Sequence, residues 1–175
     1  DFPVAARVPI TPEQRSMLLA SWRTEDPSLF NIAMRMRDAG NLDPQILERA
    51  LVWVVGRHDA LRAAFEDTER GWEMVFRDDV SVRLEVKQAP AGIDFEAWAD
   101  ETAQAEAAAV FQLAEAPLLR AVLLRGAGER GEFLVTVHHL VFDGWSGSIF
   151  LDELATAYES LSASGQAPDL APPLP

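Results

Sequence analysis

The chain has 175 residues, of which 49% are hydrophobic and 25% charged, the composition of one folded domain with a core. Its formal net charge of −13 argues against nucleic acid as a partner, because phosphate binding needs a basic surface. The absence of cysteine excludes disulfides, thiolate metal sites and a cysteine nucleophile, and it fits a cytoplasmic protein.

The chain shows no pattern of membrane insertion or export. Arg, Asp or Glu interrupts every apolar run before it reaches the length of a membrane span, so we expect no membrane association. The first residues, Asp1-Phe2-Pro3, lack the cationic start and apolar stretch of a signal peptide, and they lack an initiator methionine. We therefore expect the chain to be a segment of a longer protein.

The first half of the chain predicts alternating helices and strands. Thr11-Pro12-Glu13-Gln14 predicts a helix start, because Thr can cap, Pro suits the first turn and Gln can close a capping box. Asp43-Pro44 repeats this pattern ahead of a helix that runs to about Arg57. Alternating apolar positions predict strands over residues 30–37, 61–66, 72–77 and 80–86.

The second half predicts one long helix, two strands and a last helix. The Ala- and Glu-rich stretch 94–113 predicts the long helix, and residues 118–125 and 132–139 predict strands. The last helix is expected to begin at Ser146 or Gly147. From Ser164 onward the chain is rich in Pro and lacks periodicity, which is typical of a linker. This order of elements favours an α/β fold in which helices pack against a mixed sheet.

Residues 137–146 hold the most informative side chains. His138 and His139 are adjacent at the end of the last predicted strand, and adjacent strand residues point to opposite faces. One ring can therefore face a cavity while the other packs. Asp143 and Gly144 predict a turn, since Gly tolerates positive φ. One imidazole beside a carboxylate and a turn is a candidate proton-handling site.

Other interpretations of these residues are less favoured. A metal site is disfavoured, because ligands on opposite faces of a strand cannot converge and the third histidine, His58, is remote in sequence. A serine hydrolase is disfavoured by the lack of a Gly-x-Ser-x-Gly elbow. Arg57, His58 and Arg62 could form an anion site, but we assign them to a helix end and the core. An ordinary strand-end histidine is the alternative interpretation of His139.

Several motifs in the chain resemble those of one family. His138-His139-x-x-x-Asp143-Gly144 resembles the HHxxxDG motif of condensation domains in nonribosomal peptide synthetases, which related acyltransferases of the chloramphenicol-acetyltransferase-like superfamily share. Residues 11–18 resemble the family's first core motif. Residues 57–65 resemble its second, RHExLRTxF, with Asp59 and Ala63 in place of Glu and Thr. Residues 111–113 followed by 117–120 are similar to the family's approach to the histidine strand.

The resemblance implies a chloramphenicol-acetyltransferase-like sandwich lobe. Residues 1–163 would be the N-terminal lobe of a condensation domain, and residues 164–175 the Pro-rich linker to a second lobe that is absent here. The implied reaction joins a carrier-bound acyl or peptidyl thioester to the amine of a carrier-bound aminoacyl acceptor, in bacterial nonribosomal or hybrid polyketide-peptide biosynthesis of natural products such as antibiotics. Phosphopantetheine arms on the carriers deliver both thioesters, so the chain itself would bind no cofactor. We expect the isolated lobe to be inactive.

The resemblance also implies roles for individual residues. His139 would be the catalytic residue, either as a base toward the amine or as a hydrogen-bonding group that positions the substrate. We favour positioning with partial proton acceptance, because a thioester is already activated. His138 and Asp143 would be structural, with Arg62 as the ion-pair partner of Asp143. No residue is assigned to a metal.

Three residues after Asp143 complete the expected site. Gly144 would be required by the backbone of the turn or by the space that the substrate needs. Trp145 and Ser146 would border the tunnel or begin the next helix, where Ser146 could act as the cap.

The expected partners are the donor and acceptor carrier proteins and the second lobe, in the bacterial cytoplasm. Two alternatives remain open: an ester-forming or epimerising acyltransferase of the same superfamily, and a non-catalytic lobe that docks carrier proteins.

Overall fold

The computed structural model describes residues 4–37 and 39–173 of the chain, and the following elements lie within them. The strands are β1 (Val4–Pro9), β2 (Asn31–Met36), β3 (Ala63–Thr68), β4 (Gly71–Arg77), β5 (Leu84–Gln88), β6 (Leu119–Arg125) and β7 (Gly131–His138). The helices are α1 (Pro12–Arg23), α2 (Pro44–Arg57), α3 (Phe95–Ala108) and α4 (Gly144–Ser164). Two short helical turns span Pro27–Phe30 and Asp59–Arg62.

Each of these four helices starts at a side chain that accepts hydrogen bonds from the first turn. Thr11 caps α1 within a complete capping box, and Asp43 caps α2 ahead of a proline. Asp94 and Asp143 cap α3 and α4. Gly165 ends α4 with a φ of 72°, a conformation that glycine adopts without strain. Local side chains therefore cap the starts of all four helices, and for α1 and α2 these are the caps that the sequence patterns predict.

The strands form two separate sheets. The four-stranded sheet has the order β2-β7-β6-β5, in which β7 is antiparallel to both neighbours and β5 is parallel to β6. The three-stranded sheet is antiparallel, with the order β1-β4-β3. The α/β class and the mixed sheet are confirmed, but the predicted strand pair 61–66 and 72–77 belongs to the second sheet.

Strand β7 is central in the larger sheet, and every residue of it is buried. Phe133, Val135 and Val137 join the main core, which also contains residues of α2 and α4. Leu134 faces the other way and packs with Phe95 of α3. Because helices cover both faces, the strand is buried on both faces, and the face of Leu134 also carries the polar residues Glu132, Thr136 and His138. Its end is therefore held rigidly where the two histidines occur.

Several helix and strand boundaries differ from those predicted. β3 begins at Ala63 because residues 59–62 form a helical turn. The predicted strand 80–86 forms only as β5, where the parallel partner β6 is available. α4 begins two or three residues earlier than predicted because Asp143 caps it. β1 was not predicted, since its pairing with β4 bridges more than sixty residues of sequence.

Candidate active site

The end of β7 and the start of α4 bring the motif residues together. β7 ends at His138, and His139 is the first residue of the turn that leads to α4. The backbone N–H of His139 donates to the carbonyl of Phe30 at 2.8 Å, which fixes the turn against the start of β2. The two rings are thus separated as strand geometry predicts: His138 is buried and His139 is exposed.

His138 is packed inside the lobe. Its ring lies between Phe30 and Phe111, at centroid distances of 6.3 and 6.1 Å. Its Nδ1 accepts the backbone N–H of Leu140 at 3.1 Å. Burial, together with repulsion from His139, lowers the pKa of His138 to about 4. The ring is therefore neutral near pH 7, and its accepting nitrogen holds the turn in place.

His139 has one ring nitrogen engaged and one available. Its Nδ1 lies 2.7 Å from the carbonyl oxygen of Phe142. A carbonyl can only accept, so Nδ1 carries the hydrogen and donates it. In the neutral ring Nε2 then has a lone pair, and no described residue donates to it. The turn residues 139–142 thus select the tautomer that can take a proton at Nε2.

An open depression of about 330 Å³ lies beside His139. One wall is the turn after β7, and the opposite wall comes from α1 and β4. Gln14 joins the two walls, since its side-chain amide donates to the carbonyl of Leu140 at 3.3 Å. The lining mixes carboxylates with apolar groups: Glu13, Gln14, Met17, Ala60, Met74, His139, Leu140, Val141, Phe142, Asp143 and Ser146. Gln14, Met17 and Ala60 lie in the segments that resemble the first and second family motifs, but the sequence did not assign them to the site, and it gave no signal for Met74.

Asp143 acts as the N-cap of α4. Its Oδ1 accepts the backbone N–H of Ser146 at 2.8 Å and the hydroxyl of Ser146 at 2.7 Å. These hydrogen bonds lower the pKa of Asp143, so the carboxylate is charged near neutral pH. The expectation that Ser146 caps the helix is wrong: Ser146 donates to the cap.

The predicted ion pair between Arg62 and Asp143 does not form. Among the residues that the structure describes, Arg62 pairs with Asp59 and with Asp78, the latter at 3.2 Å. It also donates to the carbonyl of Arg77 at 2.7 Å. The helical turn 59–62 directs the side chain of Arg62 toward the end of β4. The carboxylate of Asp143 instead accepts hydrogen bonds from Ser146 in the first turn of α4.

The two residues that follow Asp143 also differ from expectation. Gly144 does not have a positive φ, and a Cβ there would meet nothing within 4 Å, so the backbone reason for a glycine is wrong. Trp145 is 79% exposed and does not line the depression, whereas Ser146 does. Of the two residues expected to border the tunnel, Ser146 therefore lies beside the depression and Trp145 does not.

The described residues contain no group of three or more His, Asp or Glu side chains that could hold a metal ion. Across residues 4–37 and 39–173, no helix is both long enough and apolar enough to cross a membrane. His58, the third histidine, lies against Glu153 at 2.8 Å and does not join the depression.

A two-sheet α/β lobe with a histidine turn at the end of its central strand is the fold of condensation domains. The starter condensation domain of rhizomide synthetase RzmA superposes with a TM-score of 0.86 at 23% identity, covering 95% of this chain and 40% of that one. The first condensation domain of the CDA synthetase gives 0.84 at 22% identity, covering 94% of this chain and 42% of that one. At these identities the likeness shows the fold.

The sequence itself identifies the family. The model of the Condensation domain family matches residues 4–173, and the chain belongs to that family. It is 36% identical over 168 residues to one of the linear gramicidin synthase proteins of Brevibacillus parabrevis. It is 33% identical over 174 residues to the isonitrile lipopeptide synthase of Mycobacterium tuberculosis. These matches cover 94% and 95% of this chain but 2% and 7% of those proteins. The resemblance drawn from the HHxxxDG motif is confirmed.

Proposed function

We propose that the chain is the N-terminal lobe of a condensation domain, over residues 1–163, and that residues 164–175 link it to a second lobe. In this proposal the complete domain forms an amide bond between a carrier-bound acyl or peptidyl thioester and a carrier-bound aminoacyl amine. Family membership supports the reaction class. The solved condensation domains support the division into lobes, since this chain covers only about two fifths of each.

The observation that carries the catalytic proposal is the free Nε2 of His139. The amine lone pair attacks the thioester carbon, and the nitrogen must lose a proton as the C–N bond forms. Nε2 accepts that proton, while the hydrogen bond from Nδ1 to Phe142 stabilises the resulting imidazolium. Breakdown of the adduct breaks the C–S bond, and the departing thiolate takes the proton back from the ring.

Positioning accounts for the rest of the acceleration. A thioester is an activated acyl donor, so holding it and the amine in attack geometry supplies much of the lowering of the barrier. The depression beside His139 would form one side of the reaction site, and the second lobe would close the other side. The isolated lobe would therefore be inactive, because an open depression holds neither reactant.

The partners of this reaction are a donor and an acceptor carrier protein in the bacterial cytoplasm. Each presents its substrate as a phosphopantetheine thioester, and the chain needs no cofactor of its own. The net charge of −13 opposes the docking of acidic carriers, so docking would use a local patch of arginines.

The test uses a complete condensation domain that contains this lobe, with loaded donor and acceptor carriers and amide product as the readout. His139→Ala should lower kcat by about a hundredfold or more, the usual contribution of a positioned acid-base group. In His139→Asn the side-chain amide can still donate to the carbonyl of Phe142, but no atom occupies the position of Nε2. Its kcat should therefore be as low as that of His139→Ala. His139→Gln places an amide near Nε2, and partial activity would measure the positioning share.

Asp94→Asn is the matched control, because its amide oxygen can still cap α3 and the residue does not line the depression beside His139. It should keep kcat within about threefold of wild type, since Asn and Asp cap helices about equally well. Amide formation by His139→Ala at the wild-type rate would overturn the catalytic assignment.

A further inference from the structure

Residues 167–173 lie along the lobe without belonging to a helix or a strand. Such a segment has no backbone hydrogen-bond ladder, so its contacts with side chains of the lobe decide how well its path is fixed. Within the part of the chain that the structure describes, the hydrogen bonds between this segment and the lobe all come from Arg57. Its Nη1 donates to the carbonyl of Leu170 at 3.3 Å, and its Nη2 donates to the carbonyl of Ala171 at 2.8 Å.

The guanidinium of Arg57 is itself held on two other sides. Its Nε and Nη2 each donate to a different carboxylate oxygen of Glu153, on α4, at 3.2 Å. Its carbon lies 4.8 Å from the ring centroid of Trp53, one helical turn earlier on α2. The side chains of Arg57 and Glu153 are only 14% and 16% exposed. The planar fork of arginine fits a bidentate carboxylate and two carbonyls at once, which a lysine ammonium cannot do.

His58 completes this cluster, which we name the Arg57 clamp: Arg57, His58, Glu153 and the carbonyls of Leu170 and Ala171. The Nε2 of His58 lies 2.8 Å from Glu153. Burial alone would raise the pKa of Glu153, but its hydrogen bonds with Arg57 and His58 outweigh burial and lower it. Glu153 is therefore a carboxylate that keeps α2, α4 and the segment joined.

The clamp is connected to the candidate site at two points. α4 carries Glu153 near its middle and, at its N-terminus, Asp143 and Ser146, which line the depression with His139. His58 leads directly into the helical turn 59–62, which supplies Ala60 to the same depression. A shift of the clamp would therefore move two parts of the wall around His139.

We propose that Arg57 is a positioning residue, which fixes the path of the outgoing Pro-rich segment relative to α2, α4 and the depression beside His139. This proposal rests on the proposed function, because it makes the segment the connection to the second lobe. The direction in which the chain leaves the first lobe then sets how the two halves of the reaction site meet. An anion site at Arg57 and His58 is disfavoured, since Glu153 already occupies their donors.

The first experiment tests the clamp in the 175-residue chain by backbone amide relaxation at Asp169, Leu170 and Ala171. Wild type should give order parameters close to those of rigid backbone, about 0.85, and Arg57→Lys should lower them below about 0.6. Arg49→Lys is the matched control: Arg49 lies on the same helix, and among the described residues its side chain donates to the carbonyl of Gly165, at 2.7 Å, and not to residues 167–173. It should leave all three amides ordered. Order parameters unchanged in Arg57→Lys would overturn the clamp.

The second experiment measures kcat and KM of amide formation in the complete domain. Arg57→Lys should lower kcat by about tenfold, as misplacement of reacting groups does, with the KM for loaded carriers and the Tm close to wild type. Arg49→Lys should keep the wild-type kcat. Loss of order in the segment with an unchanged kcat would refute the positioning role. That result differs from a failure of the proposed function, in which His139→Ala would also be fully active.

Discussion

Replacing His138 by asparagine should make folding stability less sensitive to acid. The unfolded chain titrates His138 near the ordinary value of 6.5, whereas burial and repulsion from His139 lower its pKa in the folded chain to about 4. Between these values the unfolded state binds the extra proton, so a falling pH favours unfolding. The neutral ring contributes its full stability above the unfolded pKa, and that contribution is lost as the pH falls toward 4.

The size of this effect follows from the two pKa values. One unit of difference corresponds to about 1.4 kcal/mol, so lowering the pH from about 7 to 5 should cost about 2 kcal/mol through His138 alone. By about pH 4 the loss should reach about 3 kcal/mol. The asparagine of the variant His138→Asn has no proton to gain, and its side-chain oxygen can replace Nδ1 as the acceptor for the N–H of Leu140.

The assay is urea unfolding of the 175-residue chain, followed by tryptophan fluorescence at several pH values. The gap in unfolding free energy between wild type and His138→Asn should shrink by about 2 kcal/mol from about pH 7 to 5. Carboxylates titrate in both proteins, so their contribution to the pH dependence cancels when the two unfolding free energies are subtracted. Thr136→Val is a matched control, since Thr136 is also buried on β7 but does not titrate. A gap that stays constant over this range would refute the assignment of His138 as a buried neutral ring.

Three further predictions concern stability and use the same unfolding assay. Arg35→Ala should cost about 3–5 kcal/mol, because it leaves the buried carboxylate of Glu132 without its bidentate partner; a loss below about 1 kcal/mol would mean that solvent screens the pair. Asp143→Ala should cost about 1 kcal/mol through the lost cap of α4, and an unchanged midpoint would contradict that role. Gly131→Ala should destabilise the chain, since its Cβ would lie 2.6 Å from a neighbouring backbone atom. Gly144→Ala should not, because a Cβ there would meet nothing within 4 Å. Equal losses of stability in the two variants would contradict this packing.

The helices were predictable because their signals are local. Thr11 with Pro12, and Asp43 with Pro44, specify helix starts within four residues of sequence, and the structure places α1 and α2 there. The strands were less predictable, because pairing is decided between distant segments. β1 has no strong alternation of its own and exists through its pairing with β4.

The candidate site shows the same division. Strand alternation predicted that His138 and His139 face apart, and the structure shows one ring buried and the other exposed. The opposite wall of the depression includes Gln14 and Met74. Gln14 is 126 residues from Leu140, and Met74 is 65 residues from His139, so sequence spacing could not reveal that these residues face each other. The partner of Arg62 was mispredicted for a related reason: the helical turn before β3 decides where that side chain points.

The tautomer of the neutral His139 ring is the most direct test of the catalytic proposal. Ring-nitrogen chemical shifts of the neutral histidine distinguish the two tautomers, and the assignment can be made in the 175-residue chain. A hydrogen on Nδ1 and a bare Nε2 are predicted, because Phe142 presents only a carbonyl oxygen to Nδ1 at 2.7 Å. In the opposite tautomer the hydrogen is on Nε2, so Nε2 would have no lone pair to accept the proton of the attacking amine. That result would contradict the role proposed for His139.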